Sequence, residues 1–215
     1  MRSGDKTAGS RGAHAPAAVR FHTVLALAAV GMSMGLPGAA RAGVEEVRVG
    51  VLAHNIRVTD PKNANKEDGV DVGGELVFGS PDLLSGLASP RPYVALSVNT
   101  AGETSYAGVG LIWQWRFAKG WRVEPGFGYV LHSGEKLDNP VPRDQPARRQ
   151  AFEDAYLLLG SRDLFRTSIA VTREVSQRWA VQAVFEHLSH GQILGSGRNQ
   201  GLDMAGVRVV YRFAQ

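Results

Sequence analysis

Trp179-Ala180-Val181-Gln182-Ala183-Val184-Phe185-Glu186-His187-Leu188-Ser189 is the stretch whose reading decides the fold. Residues two apart on a strand share a face, so Trp179, Val181, Ala183 and Phe185 stand on the side of His187 and Ser189. An apolar face thus ends in a base and a hydroxyl. In a soluble protein that face would be core; in a membrane barrel it would meet lipid.

The same period of two recurs along the chain. Val109, Leu111, Trp113, Trp115 and Phe117 share one face, opposite Gly110, Ile112, Gln114 and Arg116. After Ala118-Lys119-Gly120, the positions Trp121, Val123, Pro125, Phe127, Tyr129 and Leu131 alternate with Arg122, Glu124, Gly126 and Gly128. Phe165, Ile169, Val171 and Val175 oppose Arg166, Ser168, Thr172 and Glu174. The last segment sets Ala205, Val207, Val209, Tyr211 and Phe213 against Arg208 and Arg212. Eight strands are expected, at 45–54, 70–79, 91–99, 105–117, 121–133, 162–175, 179–189 and 201–213. The connections at 118–120 and 176–178 are tight, while 55–69, 134–161 and 190–200 are longer and polar. The stretch 80–90 is longer than a tight turn.

The first residues have the pattern of an export signal. Arg2, Lys6, Arg11 and Arg20 precede an apolar run from Val24 to Leu36, Pro37-Gly38 breaks it, and Ala40-Arg41-Ala42 offers a cleavage site before Gly43. The run is shorter than the ~20 residues a spanning helix needs. Residues 1–42 contain five of the 24 Lys/Arg and one of the 20 Asp/Glu, so residues 43–215 carry nineteen of each. The basic excess belongs to the leader, and no nucleic-acid partner is expected. The 173 residues of 43–215 suit one domain. The chain has no cysteine, so neither disulfides nor thiolate metal ligands are available. With no second long apolar run, a membrane form of this chain must be a closed β-barrel.

Alternation alone does not separate a membrane barrel from a soluble sandwich or lipocalin-like barrel. Tryptophans at strand ends (Trp121 and Trp179 each follow a tight turn), glycines on the polar face and strands of about ten residues favour the membrane barrel. The fold expected is therefore an all-β, eight-stranded antiparallel outer-membrane barrel over 43–215. Tyr211-Arg212-Phe213 fits the aromatic end of such proteins, although Ala214 and Gln215 follow it.

His187 and Ser189 have the spacing with which an imidazole can activate a hydroxyl for acyl transfer. Such a base needs an acceptor on its other nitrogen. Asp203 has the parity of Ala205, Val207 and Val209, so across the 190–200 loop it reaches the same outer face. His190 is a rival base whose parity points inward. Glu186 also points inward, toward Gln182, Arg208 or Arg212, and His132 reads as an interior or loop residue. No cluster has metal-ligand spacing, and no glycine-rich phosphate loop leads from a strand into a helix.

Phe185-Glu186-His187-Leu188-Ser189-His190-Gly191, followed by Asn199-Gln200-Gly201-Leu202-Asp203, resembles the lipid A 3-O-deacylases of the PagL family. The specific motif spans about 185–213, and the architecture extends over 43–215. The resemblance implies an outer-membrane serine esterase with Ser189 as nucleophile, His187 as general base and Asp203 as orienting acid. It also implies that Asn199, His190 and Gly191 are candidates for oxyanion or substrate contacts. Two positions depart from the family pattern: Asp203 stands where Glu is usual, and His190 where Asn commonly follows the serine.

His187 is eight residues from Trp179, which raises it about 19 Å up a tilted wall, to the opposite interface. The expected substrate is the ester-linked 3-hydroxyacyl chain at the 3-position of lipid A. No cofactor or metal is expected, and the expected partners are lipopolysaccharide and outer-membrane lipid, with a homodimer left open. The alternatives are a non-catalytic structural or adhesive barrel, an outer-membrane acyltransferase or phospholipase, and a soluble lipocalin-like carrier.

Overall fold

The computed structural model describes residues 43–60, 63, 65–195 and 197–213, so the leader expected at 1–42 lies outside the described residues. The alternating segments form β1 (Val44–Ala53), β2 (Val70–Phe78), β3 (Arg91–Asn99), β4 (Tyr106–Ile112) and β5 (Trp115–Ala118). They continue as β6 (Trp121–His132), β7 (Asp163–Glu174), β8 (Trp179–Ser189) and β9 (Leu202–Arg212). β4 and β5 are two parts of one wall strand. Both pair with β6 in one register, with Ile112 opposite Gly126 and Trp115 opposite Val123. The break falls at Trp113, opposite Pro125. That proline has no N–H to give, so only the bond from the Trp113 N–H to the Pro125 carbonyl remains, at 3.0 Å. The wall thus has the eight strands expected from the sequence.

Each strand pairs antiparallel with its neighbours; β1 meets β9 and β4 meets β6, so the sheet closes on itself, and only the short β5 extends past β3 with β6 as its one partner among the described residues. Paired residues can be followed once around the wall through Arg212, Glu46, Val77, Tyr93, Gly110, Gly128, Arg166, Leu188 and Leu202. The circuit re-enters β9 ten residues from its start, from 212 to 202. For eight strands that stagger corresponds to a tilt of about 40°.

The burial pattern is inverted relative to a soluble protein. Val49, Val181, Val207 and Val209 on the outer face are about half exposed (Val207 54%), whereas Arg48, Glu75, Arg166, Glu186 and Arg208 inside are buried (Arg166 1%). The inner charges neutralise one another. Glu75 accepts from Arg166 at 2.5 Å and from Arg208 at 3.1 Å. Glu186 accepts from Arg166 at 2.6 Å and also from Arg208 and the Tyr106 hydroxyl. Lower in the lumen, Arg48 donates to Glu46 at 2.7 Å and to Glu124 at 2.6 Å. Arg122 joins the same two carboxylates. Charges buried this deeply persist only when each finds such partners. The inner glycines make room: the Tyr93 ring lies over Gly110 and Gly128, where a Cβ would overlap its hydroxyl. An apolar exterior around a charged interior is the arrangement a bilayer requires of a barrel.

One end carries the tight turns and an aromatic girdle of exposed Trp115, Phe117, Trp121, Trp179 and Phe213. Tyr211 packs edge-on against Trp179 with ring centroids 4.8 Å apart. The long connection at this end, 79–90, contains a 3-10 turn at Asp82–Leu87. The other end carries the longer loops. There the sequence suggests only a polar connection over 134–161, but the structure forms α1 (Pro146–Ala155). Pro146 sits in its first turn and Ala147, Arg148, Arg149 and Gln150 are good helix formers, a short signal inside a charged stretch.

Candidate active site

The register of β8 against β9 sets His187 directly opposite Asp203 on the outer face, at the loop end of the wall. The His187 Nδ1–H donates to Asp203 Oδ1 at 2.7 Å. Asp203 is buried while His187 keeps about a quarter of its side chain exposed, so the imidazole is held from below and open above. Its ring lies against Gly201, where a Cβ would overlap His187 Cε1. Only glycine leaves the ring that position.

Ser189 follows on the same face, opposite Phe165 and partly exposed. Its hydroxyl makes no hydrogen bond among the described residues. Same-face neighbours on a strand lie about 6.6 Å apart, a gap an imidazole spans once the serine rotamer turns toward Nε2. The structure therefore joins His187 to Asp203 and leaves Ser189 adjacent to the pair.

The remaining sequence candidates have distinct places. His190 is fully buried; its Nε2–H donates to the Arg198 carbonyl at 3.2 Å, and its Nδ1 accepts from the Gln192 N–H at 3.2 Å. That imidazole has no N–H left for a substrate oxygen, and its role here is to shape the 190–201 loop. The Asn199 side-chain carbonyl accepts from the His190 N–H at 3.1 Å, which leaves the Asn199 amide NH2 free to donate elsewhere. Gly191 begins the loop at φ +60° and packs on the Phe165 ring. The other polar residues behave as their parity indicates: Glu186 belongs to the inner ion lattice, and His132 donates to the Ser161 carbonyl at 2.6 Å.

The first loop, 54–69, contributes what the sequence did not reveal. The N–H groups of Val58 and Thr59 donate to Asp203 Oδ2 at 3.2 and 2.6 Å. The Thr59 hydroxyl donates to Asp203 Oδ1 at 3.0 Å and stands 3.3 Å from His187 Nδ1. Asn63 donates to the Gly201 carbonyl at 2.6 Å, and the Ile56 N–H to the Asp203 carbonyl at 2.9 Å. No local pattern marks Thr59, because its partners lie more than 120 residues away in sequence.

The base of this loop is His54, bonded through Nδ1 to Asp71 at 2.8 Å and through Nε2 to Glu67 at 2.9 Å. Burial pushes its imidazolium toward losing the proton, but the hydrogen bonds and charges of the two carboxylates win and raise its pKa to about 9. Because the folded value exceeds the unfolded one, near 6.5, the cation stabilises the fold fully below about pH 6.5. That contribution, of order 3 kcal/mol at most, is lost as pH rises through 9. The stability difference between the wild type and His54→Gln, from urea unfolding in micelles, should therefore be large at pH 6 and shrink by pH 10. A difference independent of pH would refute the assignment.

The connection between β6 and β7 closes against the one between β8 and β9. The Leu158 N–H donates to Gln200 Oε1 at 2.7 Å, the Gln200 N–H donates to the Leu158 carbonyl at 3.2 Å, and Arg198 pairs with Glu153 of α1. Both loops are thus packed together beside the His187–Asp203 pair.

The family model described as lipid A 3-O-deacylase (PagL) matches residues 54–212, a span running from His54 to the end of β9. The chain belongs to the PagL family. Among solved structures it is similar to that of the outer membrane enzyme PagL, at 14% identity and a TM-score of 0.53, covering 78% of this chain and 99% of that one. It is also similar to the N-terminal β-barrel domain of Pseudomonas aeruginosa OprF, at 9% identity and a TM-score of 0.46, over 80% and 99% of the two chains. A third similar structure is Yersinia pestis Ail, at 11% identity and a TM-score of 0.37, over 79% and 99%. No curated protein matches the sequence. As a PagL-family barrel with an apolar exterior, the protein resides in the bacterial outer membrane.

Proposed function

We propose that this barrel is a serine esterase that removes the ester-linked 3-hydroxyacyl chain from the 3-position of lipid A. The observation that carries the reading is the His187–Asp203 hydrogen bond of 2.7 Å on the outer face of the wall, beside Ser189, in a PagL-family chain. A base–acid pair facing lipid at the loop end is suited to an ester that lies just below the headgroups.

The chemistry follows the logic of a serine–histidine–acid relay. Ser189 Oγ attacks the ester carbonyl and His187 Nε2 takes its proton, while Asp203 keeps Nδ1–H oriented and balances the imidazolium. Collapse of the tetrahedral adduct returns that proton to the departing sugar 3-oxygen and leaves an acyl-serine. Water, deprotonated by the same imidazole, then releases the 3-hydroxy fatty acid and restores Ser189. The free Asn199 NH2 and the Gly191 N–H are the donors proposed for the oxyanion. In this reading the leader is removed before Gly43, and residues 43–215 form the enzyme.

The test is expression in a host whose lipid A retains its 3-linked chain, followed by mass analysis of the extracted lipid. Loss of the mass of one 3-hydroxyacyl group supports the esterase. An unchanged spectrum from protein that migrates as a folded, heat-modifiable barrel overturns it.

A further inference from the structure

We propose that Thr59 is a positioning residue of this site: loop 54–69 clamps the Asp203 carboxylate so that it stays on His187. This rests on the esterase reading for its consequence but on geometry for its cause. Asp203 projects from the outer face of β9, where a carboxylate has neither lumen arginines nor bulk water to hold its rotamer. Its neighbours on that face are apolar, Ala205 and Val207. Nothing on that face would keep an unsupported carboxylate turned toward the imidazole, which would then lose its acceptor.

The loop supplies three donors to the two oxygens. Val58 N–H and Thr59 N–H occupy Oδ2, at 3.2 and 2.6 Å. The Thr59 hydroxyl shares Oδ1 with the imidazole, at 3.0 Å. The same hydroxyl oxygen, 3.3 Å from His187 Nδ1, offers that N–H a second acceptor and so defines the ring plane as well as the carboxylate. The loop is itself anchored at independent points. Asn63 holds the Gly201 carbonyl, and Asn55 Nδ2 donates to the Asn63 and Glu67 carbonyls at 2.9 and 3.0 Å. Asp203 is shorter than the glutamate usual at this place and reaches His187 at 2.7 Å through Oδ1 while the two loop N–H groups occupy Oδ2.

Thr59→Val keeps the shape and deletes the hydroxyl; Thr59→Ser restores it. A hydrogen bond to a charged group is worth enough that its loss should lower kcat on purified lipid A by about ten- to a hundred-fold. KM should stay within about two-fold, because Thr59 orients the base and does not hold the acyl chain. Thr59→Ser should recover most of the rate. A second readout needs no lipid A at all. In micelles, the downfield Nδ1–H proton resonance of His187, assigned by its loss in His187→Gln, should be present in the wild type and in Thr59→Ser. In Thr59→Val it should exchange away. A Thr59→Val protein that keeps both its kcat and that resonance overturns the clamp, whereas a folded wild type inactive on lipid A but with the resonance lost in Thr59→Val overturns only the esterase reading.

Discussion

Replacing Ser189 with alanine is expected to abolish removal of the 3-hydroxyacyl chain, lowering the rate by about 10^4-fold or more, as loss of a serine nucleophile does elsewhere. The barrel itself should be untouched. Ser189 is partly exposed at the end of β8 and makes no hydrogen bond among the described residues, so alanine removes one outward oxygen and nothing structural. The folded, heat-modifiable form should therefore migrate as in the wild type. His187→Ala should be equally inactive, since an unassisted serine hydroxyl is a weak nucleophile at neutral pH. The two replacements together should cost little more than either alone, because in the proposed mechanism both groups serve one proton transfer. Residual deacylation by Ser189→Ala at wild-type rate would mean that another group attacks the ester.

The second large effect is on stability and arises on the other side of the same strand. Glu186 is fully buried and accepts hydrogen bonds from Arg166, Arg208 and Tyr106. Glu186→Ala would leave the two guanidinium groups with Glu75 as their common carboxylate, Arg208 deprived of its closer counter-charge and Arg166 of the one it binds through two nitrogens. Removing one member of a buried ion cluster typically costs 3–5 kcal/mol, roughly, because the stranded charge has no water to return to. The midpoint of urea unfolding in micelles should fall accordingly. By contrast, truncating an outward valine such as Val207 changes only a contact with the surrounding amphiphile. If Glu186→Ala unfolds at the wild-type urea concentration, the lumen is hydrated and the lattice contributes no net stability.

Much of this was legible along the chain. The period of two is imposed by strand geometry, so the partition into inner and outer faces was readable residue by residue. Parity alone put His187, Ser189 and Asp203 together on one face, and the register of β8 with β9 confirms the facing pair. Parity also turned His190 and Glu186 inward, where the structure buries both. The helix at Pro146–Ala155 was missed because ten residues of mixed charge without an apolar stripe carry no periodic signal.

Alternation determined the strands, their faces and the common face of His187, Ser189 and Asp203, because those depend on neighbours one or two residues apart. Which face met lipid was not decidable from alternation, since a soluble barrel repeats the same pattern. Closure decided it: once β1 meets β9 and β4 meets β6, the charged face is the one shut inside, and the valines have only the bilayer left to meet. The partners of Asp203 likewise needed the tertiary structure. A hydroxyl 144 residues away in sequence becomes a neighbour only when β1 and β9 are paired and the loop after β1 folds back over their ends.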